Sequence, residues 1–329
     1  MKIIELDPHD SAQAGPWYAA MRAGAAAGRV SPLVTGETAL LSSLRFNDSN
    51  PNMDRRGFGV WDRDVCLGTA LLDLPQRSNP TAAELDVNVP PQYRGRGVGG
   101  ALLRHSLDVA GSQGRTLITG ELNIPGKQAI EDSDGGRFLL RHGFVSAHTE
   151  ERLMLELPAT VPAHDVPDGY STVAWVGVPP ARWLDSFAEM QTLMGRDVPT
   201  GDLGLEPPVR TGPEVAAGQQ RLADQGYGLV TALVLGPAGS PVAYSMMFVP
   251  GDDPAHVIQD DTFVLRAHRG HGLGTVAKAA NLGQLTEHFP QTRYVHTWTA
   301  EVNDAMRTIN ERFGFRAVET MHAMKLVTG

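Results

Sequence analysis

One cysteine, Cys66, is present in 329 residues, so no disulfide can form within the chain and nothing points to an oxidising compartment. Its place in Val65-Cys66-Leu67 is that of a small apolar strand residue rather than a nucleophile. Aromatic residues make up only 6% of the chain, and basic residues (28) are fewer than acidic ones (37). The resulting net charge of −9 argues against sequence-independent nucleic-acid binding, which needs broad positive surface. No apolar run approaches membrane-spanning length, and Met1–Asp7 is interrupted by charge and does not read as a signal peptide. The expectation is a cytoplasmic globular protein with neither nucleic acid nor membrane as partner. At 42% apolar and 20% charged, the chain can bury two cores of ordinary size.

Glycine is abundant where these other features are scarce, and it is arranged twice in the same way. Arg94-Gly95-Arg96-Gly97-Val98-Gly99 recurs 175 residues further on as Arg269-Gly270-His271-Gly272-Leu273-Gly274. Each copy follows a strand-like run, Leu85–Val89 or Thr262–Leu265, and opens a helical pattern. Glycines let the backbone approach a ligand closely, free N–H groups point outward, and the helix dipole favours negative charge. The repeat continues: Gly143-Phe144 ends a helical stretch in the first half and Gly314-Phe315 in the second, each followed by a strand. Leu157–Pro167 is rich in proline and reads as a linker. The expected division is therefore residues 1–157, a linker at 158–169, and residues 170–329. Each half reads as strand, helices, a meander of strands, then strand, glycine turn, helix, strand, helix and strand. That order belongs to the α+β class.

These residues resemble the loops of the GCN5-related N-acetyltransferase (GNAT) family, whose acyl-CoA motif is Arg/Gln-x-x-Gly-x-Gly/Ala. Arg94, Gly97 and Gly99 fill it in one half, and Arg269, Gly272 and Gly274 in the other. Thr297–Met306, with Ile309-Asn310 and Phe313-Gly314-Phe315, is similar to the family's next strand and helix. The resemblance implies two GNAT-like domains in tandem, each a mixed, mostly antiparallel sheet splayed between its fourth and fifth strands. It implies acetyl-CoA as co-substrate, without a metal. Its pyrophosphate would lie on Arg94, Gly95, Arg96, Gly97, Val98 and Gly99, or on Arg269, Gly270, His271, Gly272, Leu273 and Gly274. The pantetheine would run along Val87 and Val89, or Thr262 and Val264. The acceptor implied is a small-molecule amine that attacks directly, in a monomer or homodimer.

The second half keeps more of the family's pattern. Asn303 heads its helix, where the family's Asn contacts cofactor and orders water, and Asn310 follows. The corresponding stretch Gly126–Gly135 offers no clear counterpart. Both halves lack the Tyr that many relatives use to protonate the thiolate; Leu139 and Asn310 stand in those places. Candidate bases on the strands before the loops are Glu84 and Asp86, or Asp260 and Asp261. Asp260 ranks first because it shares strand parity with Thr262 and Val264. A loop over Gly195–Pro213 is expected near the second site.

Other readings weigh less. Gly95-x-Gly97-x-x-Gly100 also spells a dinucleotide fingerprint with Glu121 as its acid, but the second copy has Thr275 at the third glycine, and neither copy opens a βαβ unit. His268 and His271 have metal-ligand spacing without further ligands nearby. Trp183, Phe187 and Met190 at helical spacing read as core. An acetyl-CoA-binding sensor without catalysis is the alternative to an enzyme.

Overall fold

The computed structural model describes residues 2–47, 50–126, 128–198 and 201–328. Of the segments singled out above, Met1, Lys127, Pro199, Thr200 and Gly329 lie outside these. The chain forms two compact units. Unit 1 comprises 1–149, 200–206 and 319–329, and unit 2 comprises 150–199 and 207–318.

In unit 1, β1 (Lys2–Glu5), β2 (Met53–Asp62), β3 (Val65–Pro75), β4 (Ala82–Asn88) and β5 (Leu117–Pro125) follow one another across the sheet, and β12 (Arg316–Val327) lies beyond β5. Only β4 and β5 run parallel; the other pairs are antiparallel. Helices α1 (Ser11–Ala26) and α2 (Glu37–Arg45) build one small core around Trp17, whose indole N–H donates to the Phe58 carbonyl (2.8 Å). Helices α3 (Val98–Ser112) and α4 (Asp134–Arg141) border the larger core, with Leu72, Leu102, Leu103 and Ile118 at its centre. In this setting Cys66 is buried and free, and burial raises its thiol to about 11.

Unit 2 repeats the plan. Its sheet runs β6 (Val145–Glu156), β11 (Tyr294–Ala300), β10 (His256–Val264), β9 (Pro241–Val249), β8 (Gly228–Leu235) and β7 (Ser171–Val176). Helices α5 (Leu184–Asp197) and α6 (Gly212–Asp224) cover one core; α7 (Leu273–His288) and α8 (Asp304–Phe313) serve the other. Phe187 and Met190 are buried, and Trp183 packs against them, as helical spacing implies. Of Gly195–Pro213, the ends belong to α5 and α6, and residues 201–211 between them are irregular.

The division differs from a linear one at 157 and 170. Glu150–Glu156 of β6 pairs with β11 inside unit 2, and Glu319–Val327 of β12 pairs with β5 inside unit 1. Each unit therefore completes its sheet with the strand that follows the other unit's last helix. Sequence order assigned these strands to the halves in which they occur; ladder hydrogen bonds place them otherwise. Among the described residues no helix is long and apolar enough to cross a membrane, and no group of His, Cys, Asp or Glu is placed to hold a metal.

Glu319 ties β12 into unit 1. It is 2% exposed and accepts from Arg29 Nε (3.2 Å), Arg29 Nη2 (2.9 Å) and the Val30 N–H (3.2 Å). Removing one partner of a buried pair strands the other's charge. Glu319→Ala is expected to lose roughly 3–5 kcal/mol in urea unfolding. Asp134→Ala, which breaks an exposed pair with Arg137, is expected to lose less than about 1 kcal/mol.

Candidate functional site

Each glycine turn leaves a bare helix start. Gly97 (φ +81°) and Gly272 (φ +74°) are the residues before α3 and α7, both left-handed, and neither helix has a side-chain cap. By contrast, α1 starts on Asp10, α4 on Ser133 and α8 on Asn303, whose side chains accept from first-turn N–H groups. A Cβ added at Gly95, Gly97, Gly270 or Gly272 meets no atom within 4 Å, so the first N–H groups of α3 and α7 face open space. Both turns are braced identically. Arg94 Nε donates to the Val89 carbonyl (3.0 Å), and Arg269 Nε to the Val264 carbonyl (3.1 Å). The outer ends of these arginines reach acids: Arg94 lies 3.8 Å from Asp134, and Arg269 pairs with Asp197. Arg96 sits over the Tyr93 ring, whereas His271 lies beside Tyr170, which hydrogen-bonds His268 (3.0 Å). Bare N–H groups at a helix start suit an anion in both units. Val98 and Leu273 are buried and serve packing.

Gly99 and Gly274 act differently. A Cβ on Gly99 would lie 3.4 Å from the Phe138 ring, and one on Gly274 would lie 3.1 Å from Ile309. They bring α3 against α4 and α7 against α8, and they make Phe138 and Ile309 equivalent positions of the repeat.

Both sheets split beside these turns. The parallel ladder between β4 and β5 holds for three residue pairs, Ala82–Glu84 with Leu117–Thr119, then stops. The ladder between β10 and β11 likewise holds for His256–Ile258 with Tyr294–His296. Beyond those points β4 and β10 run on toward their glycine turns with one edge unpaired: Asp86 to Asn88 with Val89 after them in unit 1, and Gln259 to Val264 in unit 2.

The two clefts then part company. In unit 1 the register between β3 and β4 is unbroken from Thr69/Asn88 to Asp73/Glu84. In unit 2 the register shifts between Gln259/Met247 and Thr262/Ser245, so Asp260 and Asp261 face a single residue of β9. This bulge removes both aspartates from the ladder at the place where the other edge is already open. It also overturns the parity argument for Asp260. Gln259, rather than Asp260, shares the face of Thr262, and both hydrogen-bond Ser245 Oγ, Thr262 at 3.1 Å and Gln259 Nε2 at 3.1 Å. Thr262 is consequently buried, its hydroxyl engaged, while Val264 remains partly open.

Charge at the unit 2 bulge is shaped by neighbours. Asp260 is accessible, yet the protein around it strips away its water and, with the charge of Asp261, pushes its carboxyl up to about 7. Asp261 is raised by burial too, and accepts from Tyr244 Oη (3.0 Å). The Arg210 charge offsets part of both shifts. In unit 1, Glu84 and Asp86 are accessible too; loss of water to the surrounding protein, with the charges of Asp73 and Glu121, pushes Glu84 up to about 7, and the same loss raises Asp86, which accepts from Asn88 Nδ2 (2.8 Å). Further along β11, Arg152 Nη1 donates to His296 Nδ1 (2.7 Å), which leaves the His296 Nε2 hydrogen for His256 Nδ1 (2.9 Å). Burial, aided by the Arg152 charge, holds His296 down to about 3.

Asn303 accepts from the Met306 N–H (3.2 Å) as the cap of α8. Asn310 has its amide engaged within the protein: it is fully buried, its Oδ1 accepting from Lys278 Nζ (2.8 Å) and its Nδ2 donating to Thr299 Oγ1 (3.0 Å). Sequence reasoning passed over Ser133, which does for α4 what Asn303 does for α8. It also passed over Tyr244, Arg210 and Lys278. Aligning the two copies of the repeat against each other was the signal available for Lys278, because it stands at the place of Leu103.

Residues 33–130 match the acetyltransferase (GNAT) family. No curated protein sequence matches the chain. Among solved structures, the chain is similar to a tandem GNAT protein from the clavulanic acid biosynthesis pathway, with 25% identity, a TM-score of 0.84, and coverage of 100% of this chain and 98% of that one. It shares its fold with a GCN5-related N-acetyltransferase from Sphaerobacter thermophilus (15% identity, TM-score 0.66, 99% and 95% covered). The same holds for an acetyltransferase fold from Pyrococcus horikoshii (14% identity, TM-score 0.56, 100% and 89% covered). Residues 33–130 thus match the GNAT acetyltransferase family, and the chain carries the tandem GNAT fold over its whole length.

Proposed function

We propose that the protein transfers an acetyl group from acetyl-CoA to the primary amine of a small molecule, and that the cleft of unit 2 does the chemistry. The observation that carries this reading is the bulge at Asp260 and Asp261. Both clefts have a cradle and an open strand edge, but only β10 presents backbone outside any ladder at the end of the open edge. A preorganised N–H there can stabilise an oxyanion, a contribution of roughly 2.7–4 kcal/mol where single donors have been removed.

Acetyl-CoA, when bound, supplies an activated thioester. The chain's own residues do the rest. The N–H groups at Gly270–Gly274 hold phosphate oxygens, and the unpaired edge of Thr262–Val264 offers main-chain partners to an extended arm. The Asp260 carboxylate takes a proton from the acceptor's ammonium group, its raised affinity for protons suiting it to work near neutral pH. Attack is then direct, and positioning supplies much of the acceleration. Unit 1, with an equivalent cradle and an unbulged strand, is assigned to binding CoA or to structure. A small cationic acceptor fits the carboxylates at both strand openings and the net charge of −9, which speeds encounter. The pathway role of the tandem GNAT relative supports a small molecule over a protein lysine.

An acetyl-CoA sensor is the competing reading, favoured by the missing tyrosine at Leu139 and Asn310. Release of free CoA from acetyl-CoA with a panel of primary amines decides between them. A valine at a left-handed glycine is both strained and projected into the cradle. Gly272→Val is expected to abolish acetylation, and Gly97→Val to leave it largely intact; loss on Gly97→Val alone would refute the assignment to unit 2.

The base gives a pH signature. Below about 7, Asp260 is protonated and cannot accept a proton, so the rate rises as pH passes through about 7. Asp260→Asn is expected to lower kcat by roughly 10²–10⁴-fold and to remove that rise.

A further inference from the structure

Lys278 is 3% exposed in the middle of α7, and no acid of the described residues pairs with it. Its Nζ donates to Asn310 Oδ1 (2.8 Å) and lies 5.1 Å from the centre of the Phe315 ring. Asn310 is held in turn by Thr299. The internal repeat shows what this trio replaces. The equal glycine turns set Lys278 opposite Leu103, and the Gly99–Phe138 and Gly274–Ile309 approaches set Asn310 opposite Leu139. The matching ladders of β5 and β11 set Thr299 opposite Leu122. In unit 1 all three leucines pack in or against the core. Leucines thus suffice for the fold at these places, and a buried amine with its two polar partners is costly to keep for packing alone.

Its location explains the exchange. A Cβ on Gly274 would lie 4.0 Å from Thr262 and 3.9 Å from Val264, and Lys278 follows one helical turn later. There it lines a small cavity of about 10 Å³ together with Gln259, the residue at which β10 has left β11 and enters the bulge. From Val264 back to Gln259 is about 16 Å of strand, so Lys278 sits at the far end of the open edge from the phosphate cradle.

We propose that Lys278 is a catalytic acid of the unit 2 cleft, its ammonium group meeting the sulfur of CoA and protonating it as it leaves. The inference rests on the assignment of acetyl transfer to unit 2. As the tetrahedral adduct collapses, the C–S bond breaks, its electron pair stays on sulfur, and sulfur takes a proton from Nζ. Lys278 is left as a neutral amine and regains a proton from solvent after the product departs. Burial holds Lys278 down to about 7, so transfer to a thiolate of ordinary value near about 8.5 is downhill, and loss of its proton at higher pH makes the rise set by Asp260 the lower limb of a bell. Asn310 Oδ1 accepts from the amine in either state and keeps it aimed.

The test uses the full-length Gly97→Val protein, so that calorimetry reads unit 2 alone, with CoA and desulfo-CoA as probes. Lys278→Met is expected to cut the CoA/desulfo-CoA affinity ratio about tenfold while leaving desulfo-CoA within about threefold, the pattern of one lost contact to sulfur. With a primary amine of the panel that the protein acetylates, the same variant is expected to lose roughly 10²-fold in kcat with acetyl-CoA and far less with acetyl thiophenol, whose thiolate leaves without a proton. An unchanged ratio, equal weakening of both ligands, or equal rate losses with both donors would overturn the role of Lys278. Failure of both ligands to bind the Gly97→Val protein, with binding retained in Gly272→Val, would instead sink the assignment to unit 2, and this role with it. Lys278→Leu/Asn310→Leu, which copies the pair in unit 1, is the variant to use if Lys278→Met does not fold.

Discussion

Two parallel ladders that end after three residue pairs govern everything else in this molecule. Strand backbone without a partner is costly when buried, because each N–H and C=O must find a hydrogen bond. Ending the ladder at Glu84 and at Ile258 leaves β4 and β10 with an edge that only solvent or an extended ligand can satisfy. The glycine turns that follow add uncapped N–H groups at the same end. The arginine bridges from Arg94 and Arg269 back to Val89 and Val264 hold turn and strand as one piece. The molecule has thus assembled a line of unsatisfied main-chain groups, polar at one end by helix geometry and along its length by strand geometry.

On that shared frame the two units have diverged in where they tolerate polarity. Unit 1 fills the space beneath its opening with Leu103, Leu122 and Leu139 and keeps its strand regular. Unit 2 places Lys278, Thr299 and Asn310 there and interrupts its strand at Asp260. Each change would weaken a purely structural domain. Both occur in one unit, on either side of one strand opening, which is the distribution expected when stability is given up for chemistry.

Much of this was legible before any coordinates. The doubled hexapeptide, its strand before and helix after, and the helix-ending Gly143 and Gly314 set the α+β plan and both cradles. Two helices, α1 and α2 or α5 and α6, precede the meander of each unit, as that order implies. Three things were hidden. The exchange of β6 and β12 leaves no trace in sequence, since either strand suits either sheet. The bulge slips the side-chain alternation by one residue, so parity counted across it assigns the wrong face to Asp260. Asn310 looked like a ligand residue because it stands beside cofactor-bearing positions, whereas Lys278 takes its amide oxygen and Thr299 its amide nitrogen.

The exchanged strands have a consequence for biosynthesis. The ribosome makes β12 after the whole of unit 2, yet the sheet of unit 1 needs Glu319–Val327 beside β5. Domains released early from the ribosome ordinarily fold as they emerge. Here the first-made unit must wait with the edge of β5 uncovered until translation is almost finished, and a nascent chain halted after α8 would expose that edge to other chains.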